Sequence, residues 1–255
     1  MESARMIIDA LWQYPVKGLG GMQLASADLV AGRHFPGDRQ FAVTTGHPRF
    51  ADMPDGSWHK KAAFLQLMTH EQLAALDCHF AGTVLTITHH GGEQFTADLD
   101  HPEGAAAMNR FIGDLFGGAL AGSPQLKQIT DGAFTDTQAP WISLGGTASV
   151  AHVAQVMGHR PDARRYRLNI MLETDTPFAE ADLIGHRISL GDAVLQVVAP
   201  VGRCAAIDVD PDDGVRGPHL LPRMETSFGH TDLGIFAEVV TGGTVAPGDR
   251  LTRLD

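Results

Sequence analysis

Cys204 stands where redox or metal chemistry is easiest to build. The chain around it reads Val198-Ala199-Pro200-Val201-Gly202-Arg203-Cys204-Ala205-Ala206-Ile207-Asp208. An apolar run ends at Pro200, a short turn follows, and a second apolar run begins after the cysteine. A thiol at such a loop exit can open on a cleft, and Arg203 beside it would stabilise the thiolate. A thiolate is a soft ligand, suited to a soft or high-valent metal. The other reading of the same residues is a small buried hydrophobe, the usual role of a free cysteine; local sequence leaves both open. Cys78 closes an amphipathic stretch and reads as core. The two cysteines form no CxxC pair and no zinc spacing, and they suit a reducing compartment better than a disulfide.

Positive side chains are scarce, 19 Lys and Arg against 30 Asp and Glu, so their positions matter. Lys17 follows the aromatic-proline turn Tyr14-Pro15-Val16, Arg39 opens a strand, and Arg167 stands beside Asn169. Arg160, Arg164 and Arg165 crowd the same region. A few of these converging could bind a phosphate or another oxyanion through charge-assisted hydrogen bonds; taken singly, each would serve solubility and local ion pairs. Asp208 and Asp210 could handle protons near the thiol, or simply end a strand before Pro211. The thirteen histidines do not compose a metal site. His89 and His90 are adjacent and would point to opposite faces of a strand. Gly158 and Pro161 break the helix between His152 and His159. The phosphate loop GxxxxGK[ST], the nucleophile elbow GxSxG, the zinc helix HExxH and the EF-hand loop are all missing. Gly18-Leu19-Gly20-Gly21 is not GxGxxG and reads as a flexible turn.

The elements that must position these residues are mainly strands. Apolar or alternating runs fall at 7–12, 40–44, 84–88, 165–173, 187–198, 235–241 and 250–254. In Arg165–Glu173, Tyr166, Leu168, Ile170 and Leu172 would share one face. Gly191-Asp192 between HRISL and AVLQVV signals a hairpin. The string PGDR, at 36–39 and 247–250, is recurrent turn chemistry. Helical spacing predicts helices over 103–117, 146–157 and, less regularly, 61–77. The expected fold is therefore mostly β or α+β with barrel-like sheets. A composition shift near 92–102 divides it into units 1–98 and 99–255. With 44% hydrophobic and 19% charged residues the chain is globular. A net charge of −11 disfavours nucleic acid and anionic membrane as partners. No apolar run reaches the roughly 18 residues of a membrane span. Asp9 and Gln13 interrupt any signal-peptide core. A soluble cytoplasmic protein is expected.

Four segments together resemble a known family: RYRLNIMLE at 165–173, PFAE at 177–180, GHRISLGDAVLQVVAPVGRCAAIDVDPDDG at 185–214 and GIFAEVVTGGTVAPGDRL at 234–251. They resemble the MOSC domain, named for the C-terminal part of molybdenum-cofactor sulfurases. The N-terminal LWQYPVKGLGGMQL and GRHFPGDRQFAV resemble the β-barrel unit that precedes MOSC in the mitochondrial amidoxime-reducing component family and its bacterial relatives. The resemblance covers nearly the whole chain. It implies a β-barrel-like MOSC domain behind a smaller β-barrel-like domain, with molybdopterin as cofactor. By the same resemblance Cys204 is the protein ligand of molybdenum and the catalytic residue, and Gly202 and Arg203 contact the cofactor. Lys17, Gly18 and Arg39 match the positions at its phosphate end, and Arg167 and Asn169 match an Arg-x-Asn strand in which Leu168 replaces a proline. Thr137 falls near a cofactor-contacting Thr-Ser pair, here altered by Gln138-Ala139. Phe236 stands where an aromatic residue, often Tyr, lies near the cofactor.

The implied activity is reduction of N-hydroxylated small molecules by a molybdenum oxidoreductase. No CxxxxCxxC ferredoxin motif is present, so electrons would come from a separate ferredoxin, cytochrome or flavoprotein. Two alternatives stand beside it: a non-catalytic carrier of the cofactor or of sulfur, with Cys204 as a persulfide, and an inactive scaffold. A pyridoxal phosphate site, found where MOSC is fused to a cysteine desulfurase, is not expected.

Overall fold

A computed structural model describes residues 6–89 and 92–255. His90, of the adjacent histidine pair, lies outside them, as does Gly91. The first part of the chain carries strands β1 (Ile7–Gln13), β2 (Met22–Leu24), β3 (Ala27–Leu29) and β4 (Phe41–Val43), then β5 (Asp77–Ala81), β6 (Val84–His89) and β7 (Gly92–Asp98). Helix α1 (Pro102–Phe116) and strand β8 (Leu126–Gln128) follow. The second part carries β9 (Trp141–Gly146), α2 (Thr147–Met157), β10 (Ile170–Glu173), β11 (Arg187–Leu190) and β12 (Ala193–Gly202). It closes with α3 (Leu220–Phe228), β13 (Asp232–Thr241), β14 (Gly243–Val245) and β15 (Leu251–Arg253). Sheet predominates, with three α-helices among the described residues.

The main sheet has eight strands in the order β15-β11-β12-β13-β9-β10-β1-β2. Its ends approach each other: Ile7 bridges Arg250, and the Leu251 N–H donates to Met6 O at 2.9 Å. Apolar side chains on its inner face, such as Leu11, Leu144, Ile170, Leu195 and Ile235, form one core at 2% exposure or less. β1 and β2 therefore belong to a sheet otherwise made by the second part of the chain. The first part builds the sheet β5-β6-β7 and the pair β4-β8 around a second core. In α1, Met108, Ile112 and Phe116 recur every four residues and pack into that core with Leu85 and Ile87. Cys78 is buried there too, its thiol pushed up to about 12 by burial, which matches its reading as core.

Several local expectations hold. Leu190 faces Ala193 across the two-residue Gly191-Asp192 turn, with Gly191 at φ +53°. α1 starts on Pro102 and stops at Gly117, and α2 ends on left-handed Gly158. Both PGDR copies are turns whose glycine has positive φ. Two expectations are corrected. Residues 165–173 are not one strand: a 3₁₀ turn, Ala163–Tyr166, is capped by the Asp162 carboxylate and ended by left-handed Arg167, and β10 begins only at Ile170. The alternation is real, but Tyr166 and Leu168 enter a third core while Ile170 and Leu172 enter the first. Residues 61–77 hold no α-helix. They form two 3₁₀ turns, Lys61–Ala63 and Glu71–Ala75, whose apolar residues split between separate cores. Helix α3 was not anticipated. The buried Asp208 carboxylate caps it by accepting from the Leu220 N–H at 2.9 Å, and left-handed Gly229 ends it.

Candidate functional site

Two N-terminal turns form one wall of a cleft because they are hydrogen-bonded to each other. The Tyr14 N–H donates to Asp38 Oδ1 at 2.9 Å, the Arg39 N–H to Tyr14 O at 2.7 Å and the Lys17 N–H to Phe41 O at 2.8 Å. This brings Lys17, Gly18 and Arg39 together. Gly18 is at φ +89°, and a Cβ there would lie 3.0 Å from the Leu73 side chain. The floor comes from the segment between the 3₁₀ turn and β10. Asn169 locks it to β9: its Oδ1 accepts from the Ser143 N–H and hydroxyl at 3.1 and 2.8 Å. The opposite wall is the end of β12, where Gly202 pairs with Asp232 and the Arg203 N–H donates to Thr231 O at 3.0 Å. Cys204 follows, immediately before the 3₁₀ turn Ala205–Asp208.

The cleft has a volume of about 380 Å³, at the smaller end of the roughly 300–1,000 Å³ usual for small-molecule sites. Lys17, Gly18, Arg39, Thr137, Arg167, Asn169, Gly202, Arg203, Cys204 and Phe236 all line it. The ten residues that the family resemblance singles out thus line one surface. Arg165, a candidate cation of the sequence, lines it too, as do Lys61, Asp136, Trp141 and Ser143, which the sequence does not single out. No local signal marks them, since loop closure alone brings 61 and 136 to Lys17. Phe236 packs on Trp141 with ring centroids 5.5 Å apart and forms an aromatic wall.

The charge balance of the cleft is opposite to that of the chain. Six lining residues are cationic (Lys17, Arg39, Lys61, Arg165, Arg167 and Arg203), and Asp136 is the single carboxylate. Lys17 Nζ donates to Phe134 O at 2.8 Å and to Asp136 Oδ1 at 2.9 Å; Lys61 Nζ reaches Asp136 Oδ2 at 3.3 Å. Burial holds Lys17 below the ordinary lysine range, against the opposing pull of Asp136. Burial would raise Asp136, but Lys17 and Lys61 outweigh it and leave that carboxyl below the usual range. Burial lowers Arg167 to about 10, helped by the Arg39 charge, and lowers Arg203 to about 10. Both remain charged at neutral pH.

Arg39 and Arg167 are two of three described non-glycine residues at positive φ, 48° and 53°. Strain of this kind persists only where surrounding contacts over-determine it. Arg39 Nη2 donates to Arg167 O at 2.8 Å, its Nη1 pairs with the Asp38 carboxylate, and Arg167 Nη1 donates to Leu19 O. Arg203 Nη1 donates to Tyr166 O at 2.8 Å. Arg167 Nη2 and Arg203 Nε are buried atoms with no hydrogen-bond partner. A buried donor without an acceptor is costly, so an acceptor from a bound group fits both. The Cys204 Sγ likewise has no hydrogen-bond partner among the described residues. Arg165 Nε is a third such donor; one thiol, three unsatisfied guanidinium N–H groups and a cationic cleft fit a group that carries both a thiol-seeking metal and a phosphate.

The other nominated cations have structural partners. Arg160 and Arg164 bind Asp162 and Asp212 and do not line the cleft. Arg165 Nη1 donates to Ile207 O and Val209 O and its Nη2 to Asp210, while its Nε is unpaired. Asp208 and Asp210 therefore serve the scaffold. Among the described residues, no group of three or more His, Cys, Asp or Glu could hold a metal, and no helix is long and apolar enough to cross a membrane.

Two family models together match nearly the whole chain. The family model for the MOSC N-terminal beta barrel domain matches residues 5–123, and that for the MOSC domain matches residues 131–252. No curated protein matches the chain. Among solved structures, the YUAD protein from Bacillus subtilis is 13% identical with a TM-score of 0.47, over 97% of this chain and 94% of its own. YiiM from Geobacillus stearothermophilus is 21% identical with a TM-score of 0.36, over 45% of this chain and 54% of its own. YiiM from Escherichia coli is 15% identical with a TM-score of 0.35, over 45% and 54%.

Proposed function

We propose that this chain, which belongs to the MOSC-domain proteins and carries a MOSC N-terminal beta barrel domain ahead of that domain, is a molybdenum-cofactor oxidoreductase. Its substrates are N-hydroxylated small molecules, and its electrons come from a separate ferredoxin, cytochrome or flavoprotein. Two free cysteines suit the reducing cytoplasm as its setting. When bound, the cofactor supplies two-electron redox chemistry at molybdenum. The chain's own residues bind and orient it. Lys17, Arg39 and Arg167 offer charge-assisted donors to a phosphate, and Gly18 allows close backbone approach. Arg203, with an unpaired buried Nε–H, lines the cleft beside Cys204, whose thiolate is the protein ligand to the metal. Thr137 adds a hydroxyl, Asn169 holds the floor in register, and Phe236 with Trp141 keeps one wall dry.

The carrying observation is that a free thiol and three arginines, each with an unsatisfied guanidinium N–H, line one cationic cleft. The test is molybdenum per chain, by elemental mass spectrometry, in wild type and Cys204→Ala from a cofactor-producing host. It is followed by reduction of an amidoxime with a chemical electron donor. Near one metal in wild type, much less in the variant and loss of turnover are expected; equal metal and equal turnover in both would refute the assignment. The partnerless Cys204 thiol also favours a second reading, a carrier holding sulfur as a persulfide. A mass increase of one sulfur at Cys204 in metal-free protein would select it.

A further inference from the structure

Tyr14 lies beneath the cleft without lining it. Its ring is 0% exposed, and two guanidinium groups sit against it: Arg167 at 4.3 Å and Arg39 at 5.0 Å from the ring centroid. These are the two strained cations of the cleft, and like charges so close repel each other. Three contacts oppose that repulsion. The ring faces offer negative quadrupole density to both cations, Asp38 pairs with Arg39, and Arg39 Nη2 bonds to the Arg167 carbonyl. The tyrosine hydroxyl takes no part, because it is buried with no hydrogen-bond partner. Burial also holds its proton on, with the pKa up at about 12. A tyrosine whose hydroxyl bonds nothing is placed there for its ring. Gly21 packs directly against the ring: a Cβ there would lie 2.6 Å from Tyr14 Cδ1 and Cε1 and 2.8 Å from Gln13 O.

We infer that Tyr14 is a positioning residue: its ring, and not its hydroxyl, holds Arg39 and Arg167 side by side as a paired clamp for a phosphate-type dianion. Arg167 Nη2, buried and unpartnered, is the donor that such an anion would satisfy. The natural ligand's identity rests on the proposed cofactor reading; the clamp itself does not.

The experiment titrates inorganic phosphate into the full chain by calorimetry at low ionic strength, for wild type, Tyr14→Phe, Tyr14→Leu and Gly21→Ala, each with its melting curve. Wild type binds phosphate. Tyr14→Phe, which keeps the ring, stays within about twofold of it. Tyr14→Leu, which removes two cation–π contacts, weakens phosphate binding by about tenfold or more. Gly21→Ala displaces the ring and weakens binding by roughly threefold or more. If Tyr14 were only a packing residue, Tyr14→Leu would lower the melting temperature and leave the affinity unchanged, which overturns the inference. So does a Tyr14→Phe loss as large as that of Tyr14→Leu, or no phosphate binding by wild type. Should Tyr14→Leu fail to fold, Gly21→Ala decides: unchanged affinity overturns the inference. Molybdenum content of the same wild-type protein separates the two claims. Phosphate binding in the expected order without molybdenum leaves the clamp standing and removes the cofactor reading. Molybdenum loading with phosphate binding indifferent to the ring removes the clamp alone.

Discussion

Asp136 is the one carboxylate lining a cleft with six cations, and its two oxygens lie against Lys17 and Lys61. It holds the place that a ligand's anionic oxygens would take, so it competes with them. Asp136→Asn removes the charge and keeps the shape. Its effect can be bounded from the geometry. The Lys17–Asp136 contact is 2.9 Å, with the lysine side chain 11% exposed and the aspartate 57% exposed. Two unit charges about 4 Å apart interact by about 1 kcal/mol in bulk water and about 4 kcal/mol at an effective dielectric near 20. More than half of the aspartate is in solvent, which puts the value near the lower end, at about 1–2 kcal/mol. That corresponds to a gain of roughly 5- to 30-fold in affinity for a phosphate anion. Calorimetric titration with inorganic phosphate at low salt reads this directly, and repeating it at high salt should shrink the difference. Unchanged or weaker phosphate binding in Asp136→Asn, with an unaltered melting curve, would refute the competition.

Two further outcomes follow from the site. Lys17 is held below the ordinary lysine range by burial, and a cation loses its charge as pH rises. Sulfate, a dianion throughout, should therefore bind more weakly from a lower pH than the roughly 10.4 of a free lysine. In Lys17→Arg the decline should move to higher pH, toward the discharge of Arg167 and Arg203, whose burial lowers both to about 10; coincident profiles would contradict this. Arg216 spans the cleft walls by donating to Ala205 O at 2.9 Å and Leu67 O at 2.6 Å. Arg216→Ala should lower stability by about 2–3 kcal/mol in a denaturant titration and reduce molybdenum per chain without touching the cleft's cations. A loss below roughly half a kcal/mol would show that neither bond matters.

Several elements are dictated by local spacing alone. The hairpin at Leu190–Ala193, the apolar stripe of α1 and the glycine stops of α1 and α2 depend on residues a few positions apart. The errors lie where a distant partner outweighs local spacing. Residues 165–173 alternate like a strand, yet the Asp162 cap and the contacts of Arg167 turn the chain at 167. Residues 61–77 carry helical spacing, yet their apolar side chains serve two cores and the segment breaks into 3₁₀ turns. Helix α3 depends on a cap from Asp208, twelve positions upstream, which no short window contains.

For the site, residue types and their order along the chain determined which groups are present: one thiol beside an arginine, a few cations in an acidic protein, and glycines where the backbone must turn. The MOSC resemblance also singled out ten residues. Their convergence is a tertiary result. Lys17 reaches Phe134 across 117 positions, and Arg167 reaches Leu19 across 148. The sequence does not show that Arg160 and Arg164 are bound to structural partners away from the cleft while Arg165, Arg167 and Arg203 line it and each keep an N–H unpaired. Nor does it show that Asp136 stands among the cations, or that the Tyr14 ring lies under two of them. Charge, hydrogen bonding and burial at each of these groups depend on neighbours distant in the chain that only the packing of sheet and loops brings into contact.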